Sequence, residues 1–395
     1  DEIYYVSNTG YQRATLMHVD TEGQSESLIS LNSVINLDMH ADAGLLLTQN
    51  EYCNNYTIYS DIYTYDKDRN RLDRLTECGR YLYAAWFPDG KQMAAVKHDA
   101  GHFELQLLDA QAQPRDVLWR SDNGQVIGQI DVSPDGEAIV ASVWRKSSGW
   151  NIEIFDVNSR NWTAVTSGTD IAANPQFTPN GNILFSLEAE GVYNLYRYYP
   201  RTGKFDQLTN LLGGAFQSSQ ASVDGPVFYA GYSAEGYSIN RLDDVSAYSQ
   251  AVSFDADRLQ AVDYVITPHQ PRDYSAWSNV RPRWWFPAWQ FTEQRSELGL
   301  TTAGSDALAI HNYTLTASYD FKLEKPAAQI SYAYADRVLL SAVRSNEITL
   351  DSNEQLSRLS KRNILSAVLA FPDNYIQKQS NLLFSITYDN TSDEE

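Results

Sequence analysis

The chain has 395 residues, 43% hydrophobic and 12% aromatic, with 26 Tyr and 9 Trp against 3 Met. Its formal net charge is -20, and its 30 Lys and Arg form no cluster, so a nucleic-acid surface is excluded, since phosphate binding needs grouped cations. Two cysteines, Cys53 and Cys78, exclude both a disulfide-rich scaffold and a four-cysteine zinc site.

The chain opens on Asp1-Glu2-Ile3-Tyr4-Tyr5, without the basic and apolar regions of a signal peptide, and reads as a processed or truncated end. It has no apolar run long enough for a membrane helix. A membrane β-barrel escapes that test, because its strands alternate. Tyr, Thr, Val and Ile in short runs, with almost no helical periodicity, predict an all-β protein.

Within Trp86-Phe87-Pro88-Asp89-Gly90-Lys91, Pro88 pre-sets φ, Asp89 hydrogen-bonds its own backbone and Gly90 takes positive φ. Related turns end at Gly44, Gly136, Gly181 and Gly225, so the five glycines are spaced by 46, 46, 45 and 44 residues. An apolar strand follows each turn. A third strand comes next, ending in Asp66, Asp109, Asp156 or Asp243, with Pro200 at that place after the Gly181 turn. A fourth strand closes on Leu75-Thr76, Val165-Thr166 or Leu208-Thr209. Four short strands at this period predict propeller blades. With the N-terminal piece there are six, the first lacking its innermost strand. Residues near Ala251-Val252-Ser253-Phe254, or residues upstream of Asp1, would supply it.

The repeat resembles the TolB-type propeller over roughly residues 1 to 250. TolB-like repeats occur in periplasmic interaction proteins, in propellers of prolyl-oligopeptidase-type peptidases and in polysaccharide lyases, so the resemblance implies a fold and leaves function open. The predicted division is a propeller over 1-255, a linker over 256-280 and antiparallel strands over 281-395.

In the last region Tyr313-Thr314-Leu315-Thr316-Ala317-Ser318-Tyr319-Asp320-Phe321 alternates apolar and polar residues, as do Ala328 to Tyr334 and Leu382 to Tyr388, with one slip at Leu383. Either a soluble sandwich or an outer-membrane barrel fits. Tyr274 to Trp285, and Gly304-Ser305-Asp306-Ala307-Leu308 leading into His311, resemble the start of a BamA-type surface-antigen barrel, a family in which TolB-like propellers precede barrels. The resemblance implies part of an outer-membrane barrel, with Trp284, Trp285, Trp289, Tyr313 and Phe321 as interface aromatics. There is room for about seven strands, fewer than a closed barrel needs.

Sequence chemistry offers little for catalysis. Gly231-Tyr232-Ser233-Ala234-Glu235-Gly236 approaches a nucleophile elbow, but Glu235 stands where the motif has Gly and a strand follows instead of a helix. His98 and His102 have the spacing of a helical metal pair across a turn, and are candidate metal ligands or solvated loop residues. Asp89, Asp135, Gly90, Gly136, Gly181 and Gly225 are turn residues. Cys53 and Cys78 lie in loops on one face of their blade, as a disulfide or two thiols. Calcium is the one cofactor the acidic loops admit.

The leading expectation is therefore a non-enzymatic bacterial outer-membrane protein with its propeller in the periplasm, meeting a protein partner and membrane lipid. One alternative is a propeller accessory to a hydrolase, peptidase or lyase. Another is a secreted carbohydrate-binding propeller with Trp277, Trp284, Trp285 and Trp289 as stacking platforms.

Overall fold

The structure, a computed structural model, describes all residues except 1, 21, 56, 123, 247, 249-272, 278, 351-355 and 394-395. The chain divides into two units, Asp1–Tyr264 and Val265–Glu395.

The first unit is a six-bladed β-propeller. Blade 1 contains β1 (Ile3–Ser7), β2 (Thr15–Val19) and β3 (Ser25–Ser30). Blade 2 contains β4 (Val34–His40), β5 (Gly44–Cys53), β6 (Thr57–Asp66) and β7 (Arg71–Arg74). Blade 3 contains β8 (Tyr81–Trp86), β9 (Gln92–Asp99), β10 (His102–Asp109) and β11 (Pro114–Arg120). Blade 4 contains β12 (Val126–Val132), β13 (Ala138–Arg145), β14 (Gly149–Asp156) and β15 (Trp162–Ala164). Blade 5 contains β16 (Ala172–Phe177), β17 (Ile183–Ala189), β18 (Val192–Tyr199) and β19 (Lys204–Gln207). Blade 6 contains β20 (Ala215–Ser219), β21 (Val227–Ser233) and β22 (Gly236–Leu242). Blade 1 has three strands, and the segment near Ala251 proposed to complete it lies outside the described residues.

The turn chemistry repeats in the backbone. Gly90 N–H donates to Phe87 O at 2.9 Å, Gly136 N–H to Ser133 O at 2.9 Å and Gly181 N–H to Thr178 O at 2.8 Å. These glycines have φ of 60°, 74° and 80°. Asp89 and Asp135 accept from the N–H groups of Lys91 and Glu137 at 2.9 and 3.0 Å. Gly225 keeps the bond, to Ser222 O at 3.1 Å, without a positive φ. Pro226 follows it, and a residue before proline is pushed toward extended backbone.

The closing Thr also has a physical reason. The Thr76, Thr166 and Thr209 hydroxyls accept from Ile62, Ile152 and Leu195 N–H at 3.0, 2.9 and 2.9 Å. Each donates in turn to Asp61, Asn151 or Asn194. The outer strand is thus pinned to the third by a side chain as well as by the ladder.

Five apolar clusters fill the spaces between successive blades. Leu16 and Leu31 meet Leu45, Leu47 and Tyr63, whereas Leu46, between those leucines, turns to Tyr81, Trp86 and Met93 on blade 3. The period-2 alternation of a strand sends successive side chains to opposite neighbours, so a middle strand buried on both faces reads as a continuous apolar run. Further clusters join blades 3 and 4 through Leu105 and Phe155, 4 and 5 through Ile152 and Phe185, and 5 and 6 through Leu195 and Val227.

The second unit is a seven-stranded antiparallel sheet in sequence order, β23 (Phe286–Phe291), β24 (Ser296–Ser305), β25 (His311–Asp320), β26 (Lys325–Tyr334), β27 (Val338–Leu350), β28 (Leu356–Asn374) and β29 (Gln379–Asp393). The expected barrel is not closed: β23 and β29 are the two edges of an open sheet among the described residues. Closure requires a pairing between edges, and alternation within a strand does not encode it.

Candidate functional site

Register gives this sheet two chemically opposite faces. Thr302, Leu315, Ile330, Ala342, Leu365 and Tyr388 stand opposite one another across β24 to β29. One residue along, Ala303, Thr314, Ser331, Ser341, Ser366 and Thr387 form a row on the other face. The next row, Gly304, Tyr313, Tyr332, Leu340, Ala367 and Ile386, returns to the apolar face. That face is open: Leu365 is 55% exposed, Ile386 76% and Trp289 64%.

The polar face carries ion pairs toward one end of β27 to β29. Arg362 bridges Asp389 at 2.6 Å and Glu347 at 2.7 Å, and Arg358 pairs with Asp393 at 2.5 Å. Aromatics sit toward both ends of the apolar face. Trp289 and Leu298 are partners, as are Leu298 and Tyr319, with Phe321 just beyond, its ring 5.3 Å from that of Tyr319. Toward the other end Tyr313 pairs with Tyr332. Trp284, 5.8 Å from Phe286, and Trp285 are half-exposed at the entrance to β23.

In the propeller, the first strands of blades 2 to 6 pack against one another in succession, which makes them the inner strands. Two carry aspartates. Asp38 accepts from Trp86 N–H at 2.7 Å, and Asp131 from Phe177 N–H at 2.6 Å, each joining its blade to the next. Burial raises both carboxyls, and Asp131 is pushed up to about 8, with the charge of Asp38 adding to the effect. Both residues retain partial solvent exposure. Asp131 therefore holds a proton near neutrality.

Sequence reasoning singled out the turn aspartates and missed this pair. A usable signal existed: each is the one carboxylate of its inner strand, Asp131 five residues before Gly136 and Asp38 six before Gly44.

The other candidates separate. His98 stacks on Phe103 at 4.6 Å, while His102 Nδ1 bonds Ser121 O at 3.0 Å. They lie on the paired strands β9 and β10, so helical spacing does not apply and they are not brought together on a metal. Among the described residues no group of three His, Cys, Asp or Glu is placed to hold a metal ion. Ser233 ends β21, and a two-residue turn leads straight into β22. Cys53 and Cys78 form a disulfide, with Cα atoms 5.3 Å apart. Beside it the buried Asp61 accepts from Arg74, Thr76, Cys78 N–H and Gly79 N–H at 2.6 to 3.1 Å.

No family model and no curated protein matches the chain. Among solved structures it is similar to TolB from Acinetobacter baumannii, with 19% identity, 62% of this chain and 64% of that one covered, and a TM-score of 0.45. It is also similar to a puromycin-hydrolyzing peptidase from Mycobacterium tuberculosis, with 12% identity, 77% and 56% covered, and a TM-score of 0.44. A prolyl endopeptidase matches at 11% identity, 93% and 52% covered, and a TM-score of 0.40. The chain thus spans less than two thirds of each of these proteins. Likeness at this level concerns fold alone; the six blades rest on the chain's own strand order.

Proposed function

We propose that this is a non-enzymatic bacterial cell-envelope protein, in which the seven-stranded sheet is part of an outer-membrane barrel of BamA type and the propeller is an interaction platform in the periplasm. The apolar face of the sheet carries the reading. Rows that include Ile330, Leu340, Leu365, Ile386 and Tyr388, each 46% exposed or more, are costly in water and are matched by acyl chains. The opposite Ser/Thr rows and the Arg362 ion pairs suit a water-filled interior. All six strands from β24 to β29 are long enough, since about nine to eleven tilted residues cross a bilayer.

The Cys53–Cys78 bond supports an oxidising compartment such as the periplasm. The propeller supports a platform role because its inner strands are rigidly packed and display Asp38 and Asp131 to a protein partner bearing a cation or a hydrogen-bond donor. Fractionation tests the reading. The native protein stays with outer membranes through a carbonate wash and needs detergent for release; recovery in the soluble fraction without detergent contradicts it.

A further inference from the structure

We propose that Arg281 and Arg283 form a binding site for a phosphorylated amphiphile, the phosphate on the two guanidiniums and the acyl chain on the adjoining apolar sheet face. A cavity of about 510 Å³ opens between the segment leading into β23 and the ends of β24 and β25, lined by Asn279, Arg281, Arg283, Trp284, Asn312 and Tyr313 among others. That volume lies in the range of small-molecule sites.

Its chemistry is one-sided. Among the described residues Arg281 has no hydrogen bond or ion pair, and Arg283 has only a 3.4 Å contact to Asn279 Oδ1. Among the described residues no carboxylate lines the cavity, although acidic residues outnumber basic ones 50 to 30 in the chain. The nearest candidate in sequence, Asp306, is occupied by Tyr274, Leu308 N–H and His311 N–H. A guanidinium offers five donors and no acceptor, in a fork that matches phosphate oxygens. Two of them, left without counter-charge in an acidic protein, are suited to an anion.

Tyr313 adds a donor and a wall. Its phenol oxygen is buried without a partner, and its ring occupies the space over Gly304, where a Cβ would meet it at 2.7 Å. Tyr313 also belongs to the apolar row that continues through Tyr332, Leu340 and Ile386. A ligand with phosphate in the cavity therefore has an apolar path beside it. The acyl part of this inference rests on the proposed membrane-facing role; the phosphate part does not.

The test titrates the full chain, in non-ionic detergent, with dihexanoyl phosphatidic acid, dihexanoylglycerol and inorganic phosphate, for the protein and for Arg281→Gln/Arg283→Gln. The expected result is saturable phosphatidic acid binding that weakens about tenfold or more in the double variant, no saturable binding of dihexanoylglycerol, and inorganic phosphate weaker by about tenfold. Phosphatidic acid binding unchanged in the double variant overturns the site. Inorganic phosphate as tight as phosphatidic acid overturns the lipid as its source. Should the double variant misfold, salt decides: affinity of the unaltered protein falls between about 50 and 500 mM, and a flat response overturns the site. A chain that proves soluble yet binds phosphatidic acid through these arginines contradicts the membrane role alone.

Discussion

The carboxylate of Asp131, on the inner strand of blade 4, accepts a hydrogen bond from the backbone N–H of Phe177 on blade 5 at 2.6 Å. Asp38 makes the same kind of bond to Trp86, two blades earlier in the chain, and the two carboxyls act on each other. Blade junctions and a protonation equilibrium are thereby linked.

Stability should fall as pH rises through this equilibrium. Asp131 titrates near 8 in the folded protein against 3.8 for an exposed aspartate, so the folded state keeps a proton that the unfolded chain sheds. The resulting loss begins above the lower value and is complete above the higher. Asp131→Asn keeps an acceptor for Phe177 N–H and cannot ionise. It should raise stability by roughly 1–2 kcal/mol, about 3–6 °C, at about pH 9 and change little at about pH 4. Thermal melts across this range check it; an equal effect at both ends counts against the linkage.

Reduction of Cys53–Cys78 should destabilise the propeller. The bridge closes a separation of 25 residues, for which chain entropy gives about 3 kcal/mol. Cys53→Ala/Cys78→Ala should lower the urea midpoint accordingly. A thiol titration of unreduced, denatured protein should find neither cysteine free, and two free thiols would remove the bridge from the account.

The turn glycines should differ in cost. At Gly181, φ is positive and a Cβ meets nothing within 4 Å, so Gly181→Ala bears only the strain of a left-handed backbone, about 1 kcal/mol. At Gly90 a Cβ also meets the His40 ring at 2.9 Å, and that ring bonds Pro88 O. Gly90→Ala should cost roughly 2–3 kcal/mol. Urea unfolding of the two variants gives the order, and equal midpoints contradict it.

The sheet faces should respond oppositely to charge. Leu365→Arg puts a guanidinium on the apolar face and should cost about 2–4 kcal/mol of membrane-inserted stability, while Ser366→Arg, its neighbour on the polar face, should cost about 1 kcal/mol or less. Urea unfolding in lipid vesicles measures both.

What the sequence made legible is local. The Pro-Asp-Gly turns, the strand-ending Asp residues and the alternation of Tyr313 to Phe321 each follow from backbone chemistry within a few residues. Asp66 and Asp156 indeed accept from turn N–H groups three residues on. Asp38 and Asp131 escaped notice because residues 93 apart in the chain come together only when the blades assemble. His98 and His102 misled for the opposite reason, since a spacing suited to a helix means nothing across a β-hairpin. The Arg281 and Arg283 cavity depends on which carboxylates are engaged elsewhere, a matter of tertiary placement.

The central claim is that the apolar face of the sheet meets lipid, and residue-by-residue accessibility along β29 tests it most directly. Spin labels placed singly at 382 to 388 in the full chain, reconstituted in vesicles, should show collisions with oxygen at Leu382, Phe384, Ile386 and Tyr388, and with a water-soluble nickel chelate at Leu383, Ser385 and Thr387. Uniform access of the nickel chelate to all seven positions would contradict the account.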